Sequence, residues 1–303
     1  MNHPTSSDLA TLNARFAIPE HLRFTETAPG LPIIDIYTPL ATARMALQGA
    51  QVLAWQPQNT PPVLWLSDAA VFQPGRAVRG GIPVCWPWFG DLPGHSAHGL
   101  VRTRLWDLRE TGLDASGQVC LRLGLQDDAI TRAVWEHAFD LELQVTVGTT
   151  LHLVLTTRNT GSKSFTLTEA LHTYFSVGDI RQTTVQGLDG AHYLDKLQGY
   201  APAQQSGPVH FAGETDRVYL NTQADCVIDD ASQNRRITVA KSGSHCTVVW
   251  NPWVEREKAL GDMPCGSYQR MVCVETANAG AEVITVAPGE SHALSAIINS
   301  FAT

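Results

Sequence analysis

Apolar and polar residues alternate in twos along most of this chain. Phe139, Leu141, Leu143, Val145 and Val147 fall on one face of an extended segment, and Asp140, Glu142, Gln144 and Thr146 on the other. That is the period of a strand buried on one side. Leu151, Leu153 and Leu155 repeat the pattern, which stops at Asn159-Thr160-Gly161, a turn sequence. Further strands are predicted over 165–175, 217–220, 236–239, 247–250, 268–274 and 282–286, separated by Gly, Pro, Asn and Asp clusters. Helical spacing stands out only at the start, where Ser7 or Asp8 can cap and Leu9, Leu12 and Phe16 share a face. The pattern predicts an all-β fold, a large antiparallel β-sandwich with few short helices. It divides the chain into an N-terminal helical arm (1–24) and a single sandwich domain (25–303).

Composition narrows the function. With 303 residues, 44% hydrophobic and 17% charged, the chain can bury a large core. A net charge of −8 argues against nucleic acid or an anionic membrane as partner, since both reward clustered Lys and Arg. A small anionic ligand needs only a few local cations and stays open. No run of 18 apolar residues occurs, and the first residues lack the basic and apolar regions of a signal peptide. The six cysteines include no Cys-x-x-Cys pair. The expectation is a cytoplasmic monomer with reduced thiols.

Three constellations carry candidate chemistry. Between Arg76 and Arg104, four Arg face the single Asp91, a local surplus of three positive charges, among Gly80, Gly81, Pro83, Pro87 and Pro93. Trp86, Trp88 and Phe89 lie beside them, and aromatic planes next to Arg and His donors suit a carbohydrate. Trp86, Trp88 and, further on, Trp250 are expected to wall a cleft. The second constellation is His172, placed with Ala170 and Tyr174 on the face opposite Leu167, Glu169, Leu171 and Phe175; an imidazole exchanges protons near neutrality. The third is Glu275, at the end of the apolar run from Met271, where desolvation makes a carboxylate a better base. Each residue also allows a plainer reading. The arginines can be ion-paired or solvated, His172 structural, Glu275 a partner of Arg270 or a Lys, and Asp216 an ordinary turn residue. His95 and His98 lack the further ligands a metal needs.

Taken in order, several segments resemble the D-hexose-6-phosphate mutarotase branch of the aldose 1-epimerase family. They are Arg79-Gly80-Gly81-Ile82-Pro83, Trp86-Pro87-Trp88-Phe89-Gly90, His98-Gly99-Leu100-Val101-Arg102, Glu169-Ala170-Leu171-His172-Thr173-Tyr174-Phe175, Thr215-Asp216-Arg217-Val218-Tyr219, Trp250-Asn251-Pro252-Trp253 and Cys273-Val274-Glu275. The resemblance spans about residues 30 to 300 and implies a galactose-mutarotase-like supersandwich with its site in a cleft. By it, His172 is the general acid and Glu275 the general base. Arg79, Arg102 and Asp216 match substrate-binding positions, and His98 matches a sugar-contacting His. Ala97 stands where some relatives carry Gln. The implied activity is interconversion of the α and β anomers of a hexose 6-phosphate, glucose 6-phosphate foremost, without metal or cofactor. The rivals are an epimerase of unphosphorylated sugar and a non-catalytic carbohydrate-binding protein.

Overall fold

In the computed structural model, which describes residues 8–303, the alternating segments pair into two broad antiparallel sheets. The larger has nine strands. Its middle strand is Ser291–Ala302, followed to one side by Thr150–Asn159, Phe139–Val147 and Val119–Gln126. Its register places Leu143 opposite Leu155 and Val145 opposite Leu153, so one apolar face is continuous across the strands. The second sheet has eight strands, with Thr215–Tyr219, Cys246–Asn251, Met271–Asn278 and Glu169–Leu171 side by side at its centre.

The alternation explains how the second sheet serves two purposes. Val272 and Val274 join Leu171, Val249 and Phe175 in the core shared with Leu141, Leu143, Leu153 and Leu155 of the large sheet. Each such side chain contributes about 1.5–3 kcal/mol on burial. Met271 and Cys273 belong to a smaller cluster with Tyr174, and Ala277 to another with Cys85, Ala170 and Val248. That second face carries the cleft described below.

A four-stranded meander, Leu22–Glu26, Pro32–Tyr37, Ala41–Ala46 and Gln51–Pro57, precedes both sheets. Helix Leu9–Phe16 packs on it through Leu12, and Asn13 pairs with both backbone groups of Phe24. Ser7, one of the two capping candidates, lies outside the described residues. Asp8 fills the role, accepting from the backbone of Ala10 and Thr11. The strand Leu22–Glu26 runs through residue 24, where the sequence pattern ended the arm. Two more short helices occur among the described residues, Ala129–Val134 and Trp253–Ala259.

Two predicted strands take a different form. The segment 165–175 breaks into Phe165–Leu167, Glu169–Leu171 and a piece starting at Tyr174, because His172 N–H goes to Pro83 O and Tyr174 N–H to Gly81 O. The segment 268–274 begins as a 3-10 turn, Ser267–Arg270. There the Glu257 carboxylate accepts from Gly266 and Tyr268 N–H, while Asn251 donates to the Tyr268 and Met271 carbonyls. Side chains satisfy those backbone groups before a ladder can.

Candidate active site

The strand register assembles the floor of the site. Asp216 lies opposite Trp250, and Trp250 opposite Cys273; one row along, Val218 faces Val248 and Val248 faces Glu275. Glu275 therefore sits inside a strand that continues to Asn278, not at a strand end as the apolar run suggested. It is 2% exposed, and His172 only 9%. The turn at Pro83 brings the imidazole over this row, with Nε2 3.5 Å from Glu275 Oε1. His172 Nδ1 and Glu275 Oε2 are buried without a hydrogen-bond partner among the described residues.

The loop from Arg79 to Arg102 closes the other side. Gly81 has φ of +64°, and a Cβ there would lie 2.1 Å from Val52 O; Gly99, at +82°, would meet Trp86 O at 1.9 Å. Only glycine permits either approach. His98 is also left-handed, at φ +63°, held by a bond from its N–H to Gly90 O at 2.7 Å. The resulting cleft has a volume of about 300 Å³; Phe89, His98, His172, Asp216, Trp250 and Glu275 are among its lining residues.

Of the expected aromatic walls, Trp250 lines the cleft, whereas Trp86 and Trp88 do not. Alternation sends Val84 and Trp86 into the main core and Cys85 to the cleft side. Trp86 is wholly buried against Trp135 and Phe139, with its N–H on Thr157. Trp88 donates to Ser96 O, lies tilted against His95 and lines a separate depression. Phe89 supplies the aromatic surface from that loop.

The cleft carries both signs of charge in defined places. Arg79 Nε donates to Asp262 at 3.1 Å and Nη1 to the Tyr174 hydroxyl at 3.0 Å. Lys196 pairs with Asp216 at 2.8 Å. Arg102 donates to Ala97 O at 2.8 Å, and neither it nor Arg256 has a carboxylate partner among the described residues. Lys196, Arg256 and Asp262 were missed by sequence reasoning. Nothing singles out Lys196, but Arg256 and Asp262 lie just beyond the Trp250-Asn251-Pro252-Trp253 segment and could have been weighed with it.

Burial dominates the electrostatics. It pushes the His172 imidazole well below the usual range, helped by His98, Arg79 and Arg102. It pushes Glu275 well above, helped by Asp216 and opposed by Lys196. His98 falls to about 3, through burial and then Arg102, Lys196 and Arg79, so it stays neutral. Both displacements favour the uncharged forms, imidazole on His172 and carboxylic acid on Glu275. Cys273 comes within 4.8 Å of both, the one grouping among the described residues spaced to hold a metal, although burial keeps its thiol protonated.

Comparison with known proteins bears on the family and the fold. The family model described as aldose 1-epimerase matches residues 33–299. An Escherichia coli protein named "Putative glucose-6-phosphate 1-epimerase" is 41% identical over 252 residues, covering 82% of this chain and 84% of its own length. A crystal structure of a "putative mutarotase" from Salmonella typhimurium superposes with a TM-score of 0.89 at 35% identity, covering 95% of this chain and 96% of that one. A galactose mutarotase related enzyme from Lactobacillus acidophilus, only 11% identical, shares the fold with a TM-score of 0.69 over 89% of this chain and 98% of its own.

Proposed function

Because the chain belongs to the aldose 1-epimerase family, we propose that its cleft interconverts the α and β anomers of a hexose 6-phosphate, glucose 6-phosphate first among them. The observation that carries the reading is the approach of His172 and Glu275 to 3.5 Å at the floor of a cleft edged by guanidinium groups. Mutarotation removes a proton from the C1 hydroxyl and delivers one to the ring oxygen. The C1–C2 bond of the open aldehyde then rotates, and the same groups return both protons. A pair that holds one proton between a base and an acid fits this requirement, and positioned proton transfer supplies about 10²–10⁴-fold.

The phosphate has a second role in this scheme. Arg102, with Arg79 beside it, is the guanidinium we assign to it, since a planar fork matches phosphate oxygens. The same two cations help depress His172. A phosphate dianion between them offsets their charge and draws the shared proton back toward the imidazole, so His172 becomes the acid and Glu275 the base. Asp216 and the neutral His98 are assigned to sugar hydroxyls, with Trp250 as a wall. The reading is of a monomer acting on a small sugar phosphate, with no part for nucleic acid, membrane or cofactor. Buried, unpaired Cys85, Cys226, Cys246 and Cys273 support a reducing, cytoplasmic setting.

Two-dimensional exchange NMR on glucose 6-phosphate and on glucose, with and without the protein, tests the reading. Faster exchange of the phosphate ester is expected. Faster exchange of glucose alone would transfer the activity to unphosphorylated sugar, and binding without faster exchange would leave a carbohydrate-binding protein.

A further inference from the structure

Among the described residues, no hydrogen bond from another residue fixes the plane of the His172 ring. Nδ1 is buried without a partner among the described residues, and Nε2 faces only Glu275 at 3.5 Å. A histidine that moves protons usually has its second nitrogen held by a carboxylate or a carbonyl. Rotation about χ2 of histidine is broad and roughly two-fold, so an unheld imidazole samples several planes. Something else must hold this one.

The ring of Tyr174 lies flat against it, with centroids 4.8 Å apart and planes 9° apart. His98 and Trp250 touch the imidazole only edgewise, at 5.4 and 6.2 Å. Tyr174 is itself fixed at both ends. Trp65 stacks on its ring at 5.8 Å, and its hydroxyl accepts from Arg79 Nη1 at 3.0 Å. Arg79 is anchored in turn by Asp262 at 3.1 Å, and the Asp262 carbonyl accepts from Ser67 Oγ at 2.6 Å. Tyr174 lines the cleft, but its hydroxyl is engaged by Arg79 and its ring face by the imidazole, so its effect on the reaction is assigned through His172.

We infer that Tyr174, locked by the Arg79–Asp262 pair, is a positioning residue that sets the plane of the His172 ring and aims Nε2 at the reacting oxygen. The inference rests on the reading of His172 as a reacting group. It also gives Arg79 a task toward the protein besides any toward a phosphate.

Steady-state exchange measurements on glucose 6-phosphate with Tyr174→Leu, Tyr174→Phe and His172→Asn test it. Tyr174→Leu removes the flat face and is expected to lower kcat about 30-fold with KM within about threefold. Tyr174→Phe keeps the face but loses the bond from Arg79, and is expected to lower kcat about three- to fivefold, well short of the Leu variant. Where the Leu variant does not fold, Tyr174→Met keeps the bulk without the plane and carries the same expectation. A Leu or Met variant that keeps its kcat, or loses only KM, overturns the inference. So does a Phe variant that falls as far as Leu, which would move the role to the hydroxyl. Full activity in His172→Asn instead removes the reading of the reacting pair, a result the Tyr174 variants cannot produce.

Discussion

Two glutamates in the eight-stranded sheet are almost wholly buried beside a histidine, and the two pairs are built differently. Glu169 Oε1 lies 2.9 Å from His292 Nε2 and also accepts from Asn278 Nδ2 at 3.1 Å. Asn278 donates in turn to Gly243 O. Three strands, Glu169–Leu171, Met271–Asn278 and Ser291–Ala302, are fastened at that point. Glu275 has His172 at 3.5 Å, no hydrogen bond from a described residue, and a cleft of about 300 Å³ beside it. Both glutamates leave Oε2 without a hydrogen-bond partner among the described residues, and Glu169 meets the protein through Oε1. Glu169 is a fastening because its engaged oxygen ties strands together, whereas Glu275 fits a reagent because it lines the cleft, where a substrate oxygen can relieve the about 1–3 kcal/mol cost of an unmet buried polar atom.

Removing each carboxylate should separate the two roles most widely. Glu275→Gln or His172→Asn is expected to lower anomer exchange by roughly 10²–10⁴-fold while sugar phosphate still binds. Glu169→Ala should do the opposite. Breaking a buried pair costs roughly 3–5 kcal/mol at full burial, and less here because His292 reaches solvent at 18% of its side chain. Its thermal midpoint should fall by several degrees while exchange at low temperature stays within about threefold. Exchange NMR beside thermal unfolding reads both. If Glu169→Ala were the inactive variant and Glu275→Gln the active one, the contrast would be lost.

The next largest effect lies on the rim. Loss of a charge-assisted contact to phosphate is worth roughly 1.5–3 kcal/mol, so Arg102→Ala should raise KM for glucose 6-phosphate roughly ten- to hundredfold. Exchange of free glucose should change little. An equal loss on both sugars would take Arg102 out of phosphate recognition and return the cleft to unphosphorylated substrates.

These two regions were not equally legible in the sequence. Period-two alternation is a local signal, and it foretold the strands, the shared faces of Leu141 with Leu143 and of Leu153 with Leu155, and the shared face of His172 and Tyr174. It failed where side chains far along the chain satisfy the backbone, as Glu257 and Asn251 do at Tyr268. It also says which residues share a face but not which cavity that face meets. Trp86 and Phe89, three apart in one loop, therefore looked alike, although one is core and the other lines the cleft. The partnership of Glu169 with His292, and the Lys196–Asp216 bridge, depend on register between distant strands. The role of His172 and Glu275 was suggested by motif resemblance, and their approach could be seen only after folding.

Titration separates the pairs by the smallest but most diagnostic margin. Glu275 holds its proton above the usual carboxylate range when folded. Its contribution to stability is therefore fully present below the unfolded carboxylate value and is lost as pH rises through the folded one. His172 is displaced downward, so its contribution is present above the unfolded imidazole value and is lost as pH falls through the folded one. For catalysis the same displacements widen the window in which the pair keeps one proton. Activity should show a broad plateau, with an acid limb below the ordinary imidazole range and an alkaline limb above the ordinary carboxylate range. For stability, each unit of displacement is worth about 1.4 kcal/mol, and Glu275→Gln removes the alkaline loss because an amide does not ionise. Thermal midpoints at about pH 5 and about pH 9 should lie closer together in Glu275→Gln than in the parent, by a few degrees. A parent-like gap in that variant would mean that Glu275 titrates as an ordinary surface carboxylate, and the distinction between fastening and reagent would then have no electrostatic basis.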